Sequence, residues 1–160
     1  MKLYYGSNIA VQKTQILASD RKLDLGTGFY LTSSLEQAER WAEHTTQRRG
    51  NGIPTVSIYE ILDSYMNELN VKIFHEANEE WLLFVVANRK GSFIDNNFDM
   101  IIGPVANDQT IPTITLFEGG FLDVEAAIRN LKPQKLKDQY VIKTEKALQL
   151  LQFKEAKKYE

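Results

Sequence analysis

The sequence predicts an α+β fold in a single domain, residues 1–160, and three observations carry that expectation. A chain of 160 residues is enough for one hydrophobic core and short for two. Runs rich in β-branched and aromatic residues alternate with stretches of helical periodicity. The two kinds of element mix without the regular strand–helix–strand succession of a parallel sheet, and no segment repeats.

Leu3-Tyr4-Tyr5 begins a strand that ends in the turn-forming Gly6-Ser7-Asn8. Gln12 to Leu25 is polar and reads as an irregular loop. Gly26-Thr27-Gly28 then breaks into Phe29-Tyr30-Leu31-Thr32, a second strand. Ser33 or Ser34 caps the next helix, with Glu36 or Gln37 completing a capping box. Its buried stripe is Leu35, Ala38, Trp41 and Ala42, and the cluster Arg48 to Gly52 ends it. Thr55 to Ile61 and Val71 to Phe74 have strand character. Asn78 caps a helix that carries Glu79 and Glu80 where the macrodipole favours acids, and buries Trp81, Leu82, Val85 and Val86. Asp99 to Ile102 is a buried strand stopped by Gly103-Pro104. Val124, Ala127, Ile128 and Leu131 form another helical face, closed by Pro133. Tyr140-Val141-Ile142 is the final strand, before a C-terminal helix over Ala147, Leu148, Leu150 and Leu151.

Composition narrows the chemistry. With 43% hydrophobic and 25% charged residues the chain reads as an ordinary soluble globular protein. It has no Cys, so disulfides, thiolate metal sites and cysteine nucleophiles are excluded together. His44 and His75 lack metal-ligand spacing, and no metal is expected. There is no Gly-x-Ser-x-Gly elbow, and Gly26-Thr27-Gly28 is too short for a dinucleotide fingerprint. The N-terminus has no apolar signal region and no stretch is long and apolar enough to span a bilayer, so a cytoplasmic protein without a membrane partner is expected. Net charge is −2, which argues against tight non-specific nucleic-acid binding. Residues 132–160 hold eight Lys against four acids, which reads as a solvated helix face.

Two clusters stand out: Tyr4-Tyr5-Gly6-Ser7 at the end of the first strand, and Gly26 to Thr32 before a capped helix. Together with Gln139-Tyr140-Val141-Ile142 they resemble the three motifs of the ADP-ribosyltransferase superfamily, in its diphtheria-toxin and poly(ADP-ribose)-polymerase branch. Those motifs are aromatic-His-Gly-Ser/Thr on the first strand, Gly-x-Gly-Phe-Tyr before a Ser-capped helix, and a Glu on a late strand. The chain is similar in particular to a small bacterial family of that superfamily, through Arg21 to Tyr30, Asn78 to Leu82, Ile102 to Ala106 and Gln139 to Leu148.

The resemblance implies a split β-sandwich with flanking helices and an NAD-binding cleft, with NAD as substrate. It implies transfer of a single ADP-ribose to a macromolecular acceptor (RNA, DNA or protein) with release of nicotinamide. The setting it implies is a bacterial toxin or phage-defence effector neutralised by an antitoxin. Nicotinamide is a flat cationic leaving group that an aromatic face orients, and Tyr30 takes that place. By the same resemblance, Gly6 would let its backbone approach the carboxamide, Ser7 would add a hydroxyl, Gly28 would be a further NAD-binding residue, and Arg21 would pair with the pyrophosphate. Tyr5 stands where the superfamily has His, and Gln139 where it has Glu. A neutral amide binds ribose hydroxyls but is no carboxylate base. Glu80 is the candidate substitute acid. These two departures keep two alternatives open, a catalytically inactive binding module of the same fold and an NAD glycohydrolase.

Overall fold

The structure, a computed structural model, describes residues 1–16, 24–91 and 97–160. In chain order the elements begin β1 (Lys2–Ser7), β2 (Phe29–Leu31), α1 (Leu35–Arg49), β3 (Thr55–Glu60), α2 (Asp63–Met66) and β4 (Val71–Ile73). They continue α3 (Glu79–Arg89), β5 (Met100–Pro104), α4 (Ile111–Glu118), α5 (Val124–Leu131), β6 (Asp138–Ile142), α6 (Glu145–Gln149) and β7 (Gln152–Lys158). The architecture is α+β. One sheet has three strands in the order β1-β3-β7, all antiparallel. The other has the order β2-β6-β5-β4, with only β4 and β5 parallel. An isolated bridge joins the sheets, as Tyr4 and Thr32 exchange backbone hydrogen bonds of 2.8 and 3.0 Å.

Strand alternation assigns the layers. Leu3 and Tyr5 of β1 face Phe29, Leu31, Tyr59, Met100 and Ile142 in a core between the sheets. Tyr4, on the opposite face of β1, packs with Val56 and Ile58 of β3 against Ala38 and Ala42 of α1. Beyond the second sheet, Ile101 and Val141 meet Trp81, Leu82 and Val85 of α3, Ile114 of α4 and Leu131 of α5. The order through the molecule is therefore α1, first sheet, second sheet, then α3 to α5.

Local chemistry fixes α1 at both ends. The Ser34 side chain accepts from the Gln37 amide at 3.2 Å, and Gly50, with φ 72°, closes the helix in the left-handed region. Ser33 is not the cap. Its hydroxyl donates to the Asp138 carboxylate at 2.7 Å, tying the β2–α1 turn to β6.

Four expectations change. Gly103-Pro104 does not stop β5: the strand runs through both, with Pro104 in its last pair opposite Asp138, where a missing N–H costs little. The C-terminal helix ends at Gln149 rather than covering Leu150 and Leu151. After it β7 adds to β3, so Lys154, Lys157 and Lys158 of the basic tail lie on a sheet edge, not a helix face. Trp41 is not core but partly exposed, because it lines an open cleft beside α1 while Ala38 and Ala42 take the buried positions against the sheet.

Candidate functional site

Where β1 ends, the edge strand β2 and the C-terminal half of α1 enclose a cleft of about 610 Å³. Tyr5, Gly6 and Ser7 line it from β1, and Gly28, Phe29 and Tyr30 from β2. Two motifs far apart in sequence thus meet because β1 and β2 touch through the Tyr4–Thr32 bridge. The α1 wall is Trp41, His44, Thr45, Arg48 and Arg49, and Lys13 and Gln15 come from the segment after β1. No carboxylate lines the cleft among the described residues, whereas Lys13, Arg48 and Arg49 do, so the site favours anions.

The two tyrosines occupy different environments. Tyr5 stacks on Phe29 with ring centroids 4.7 Å apart and planes inclined by 30°. Tyr30 lies on the other face of the second sheet, packed against the outer core. Burial pushes its phenol well above the ordinary tyrosine range, and its hydroxyl is engaged with Leu25 and Gly26. Tyr30 also borders the cleft, from the edge strand β2.

Both motif glycines have a packing reason. A Cβ on Gly6 would collide with the Ala38 carbonyl and stand 2.7 Å from the Ala42 nitrogen. The expected reason for Gly6, room for a ligand against the backbone, is thus joined by another: β1 and α1 touch backbone to backbone. A Cβ on Gly28 would lie 2.7 Å from the Ile142 carbonyl oxygen of β6.

Gln139 and Glu80 are not brought to the cleft. Gln139 is 4% exposed, and its Nε2 donates to the Pro104 carbonyl at 3.2 Å. Trp81 Nε1 donates to the same oxygen, also at 3.2 Å, so the amide belongs to a buried contact between β6, β5 and α3. Glu80 is exposed at the start of α3 and forms an ion pair with Lys72 of β4. Arg21 lies outside the described residues.

Asn8 is a contributor that its sequence context did not reveal. Its side chain is 6% exposed, and Oδ1 accepts from Arg49 Nη1 at 2.7 Å and from the Ser7 hydroxyl at 3.3 Å. Nδ2 donates to Asn51 Oδ1 at 2.9 Å and to the Asn51 carbonyl at 3.2 Å. The amide thus pins the end of α1 to the end of β1 and holds Arg49 by a neutral acceptor, and among the described residues no acid pairs with that arginine. The α1 wall did carry a sequence signal. Trp41, His44, Thr45 and Arg48 share one helical face, while the acids Glu36, Glu39 and Glu43 share another.

Among the described residues no His, Cys, Asp and Glu gather into a group able to hold a metal ion, and no helix is long and apolar enough to cross a membrane. Residues 1–153 match the model of a family described as "Protein of unknown function (DUF3990)". No curated protein and no solved structure matches the chain.

Proposed function

The chain belongs to that family, DUF3990, and we propose that it transfers a single ADP-ribose from NAD to a macromolecular acceptor, releasing nicotinamide. One observation carries the proposal: Tyr5-Gly6-Ser7 and Gly28-Phe29-Tyr30, the residues of the first two motifs, line one cleft whose charged wall is cationic. The two facing sheets flanked by helices support an ADP-ribosyltransferase-like split β-sandwich.

In this reaction the bond between the nicotinamide nitrogen and the ribose anomeric carbon breaks. The electron pair leaves with nicotinamide, and positive charge develops on the sugar. A lone pair of the acceptor forms the new bond to that carbon, and the acceptor's proton passes to water. Tyr5 and Tyr30 orient the nicotinamide end, Ser7 offers a hydroxyl, and Arg49, held by Asn8, binds the pyrophosphate. Orientation within the cleft is the main source of acceleration in this scheme. In cells the resemblance fits a toxin or phage-defence effector restrained by an antitoxin.

A second reading, a binding module that holds NAD or an ADP-ribosylated partner without turnover, is favoured by the position of Gln139. The residue at the superfamily's Glu position is buried on Pro104, and no carboxylate lines the cleft among the described residues. Incubation with labelled NAD and cell lysate separates the readings. A transferase releases nicotinamide and leaves label on a macromolecule, and Tyr30→Ala loses both. Folded wild-type protein that releases no nicotinamide leaves the binding module standing. Release without bound label identifies a glycohydrolase. Undiminished turnover in Tyr30→Ala removes the assignment of this cleft.

A further inference from the structure

The α1 wall is more than a pyrophosphate partner needs. Trp41, His44 and Arg48 lie on successive turns of one helix face and open onto the cleft. Arg49 and Lys13 extend the positive charge on either side of that face. The helix segregates its charges: Glu36, Glu39 and Glu43 lie off this face, and Arg40, paired with Glu36 at 2.6 Å, lies among them. The large indole of Trp41 is partly exposed beside these cations, whereas Ala38 and Ala42 are the α1 residues buried against the sheet. Three cations exceed the two negative charges of one pyrophosphate, and Arg48 has no ion-pair partner among the described residues.

We infer that the Trp41–His44–Arg48 face of α1, with Lys13 and Arg49, receives a single-stranded nucleic acid as the acceptor. An aromatic platform for a base beside cations that follow the backbone is how single strands are held, and it needs no base pairing. A cationic wall without acids among the described residues suits a polyanionic strand better than a protein of mixed charge. This inference rests on the transferase reading for the word acceptor, but the binding surface is testable without turnover.

The test is fluorescence anisotropy with labelled single-stranded DNA and RNA oligonucleotides on the full chain. Wild type binds at least one of them. With NAD absent, Arg49 is free of its pyrophosphate role, and three phosphate contacts by Lys13, Arg48 and Arg49 make that binding about 20-fold weaker at 200 mM than at 50 mM salt. In Arg48→Ala the same change in salt costs only about sevenfold, because one contact is lost. Trp41→Ala weakens binding at least about fivefold, whereas Trp41→Phe, which keeps a stacking ring, recovers most of it. Melting curves of all variants confirm that they are folded.

The inference is overturned if wild type binds neither oligonucleotide, if the variants bind as wild type does, or if transferred label sits only on protease-sensitive material. Nicotinamide release without strand binding removes the acceptor surface and leaves the transferase. Strand binding without nicotinamide release does the reverse.

Discussion

The hydroxyl of Tyr30 donates to the carbonyl of Gly26 at 2.5 Å and accepts from the amide of Leu25 at 3.1 Å. The phenol is thus turned back on the glycine turn that precedes its own strand, and Gly26 adopts φ 83° there. Its polar end is a structural tie, while its ring packs on the outer core and also borders the cleft.

Ring and hydroxyl are therefore separable. Tyr30→Phe is expected to lose about 1–2 kcal/mol of stability, because a buried amide and carbonyl lose their partner. Tyr30→Ala is expected to lose about 3–5 kcal/mol through the cavity left in the outer core. Nicotinamide release per folded molecule falls far less in the Phe variant than in the Ala variant. Urea unfolding together with the release assay checks both points.

Restoring the superfamily's acid at position 139 does not restore a site. Gln139→Glu places a carboxylate against the Pro104 carbonyl, where the amide now donates. Neither oxygen of an ionised carboxylate is a donor, so about 2 kcal/mol or more is lost at pH 7. Burial raises the folded-state pKa of that Glu above its unfolded value. The variant is therefore relatively most stable at low pH and loses stability as pH rises through the unfolded pKa. Unfolding at pH 4 and pH 7, each against wild type, reveals the difference.

Asn8 tests whether the charge on Arg49 matters or only its position. Asn8→Asp keeps an acceptor for Arg49 Nη1 but neutralises the guanidinium. It is expected to retain the arginine's position while weakening NAD binding about tenfold or more, the loss of roughly one charge-assisted hydrogen bond. Asn8→Ala frees the arginine and unpairs Asn51, so both stability and binding fall. Calorimetric titration with NAD, beside thermal melts, distinguishes the two variants.

Asp99 gives a pH signature away from the cleft. The Asn70 amide at 2.9 Å, and then the Thr144 hydroxyl at 2.8 Å, hold its carboxyl below the usual carboxylate range. Because the folded-state pKa is depressed, its contribution is present above the unfolded pKa and fades as pH falls through the folded one. Asp99→Asn is expected to cost about 1 kcal/mol at pH 7, a modest figure because the carboxylate is partly exposed. The gap to wild type closes as pH falls below the ordinary Asp pKa, as parallel urea titrations would show.

The elements with strong local chemistry were legible. Ser34 and Asn78 cap α1 and α3 as their sequence contexts suggested, and the stripe Trp81-Leu82-Val85-Val86 is the buried face of α3. The strand β7 was not legible. Gln152 to Lys158 carries almost nothing apolar, and it is a strand only because β3 offers an unpaired edge. The short helices α2 and α4 also escaped. α2 spans only four residues, and neither has a side-chain hydrogen bond at its N-cap. At the site, periodicity placed Trp41 on the apolar stripe of α1 but could not say that Ala38 and Ala42 alone would be buried against the sheet. Gln139 was assigned to the site by its place in the third motif, not by periodicity, and the face it presents depends on pairing with β5.

The contact of Gly6 with Ala38 and Ala42 bears on how such a cleft can diversify. Since main chain meets main chain there, the corner between β1 and α1 has no side chain whose exchange would widen or narrow it. A descendant sequence can alter what the corner grips through residues that project from it, such as Trp41, His44 and Arg48, or through the segment carrying Lys13. The angle of the corner itself is inherited. Substitutions that change ligand preference should accumulate on the projecting positions, while the three small residues beneath them stay small.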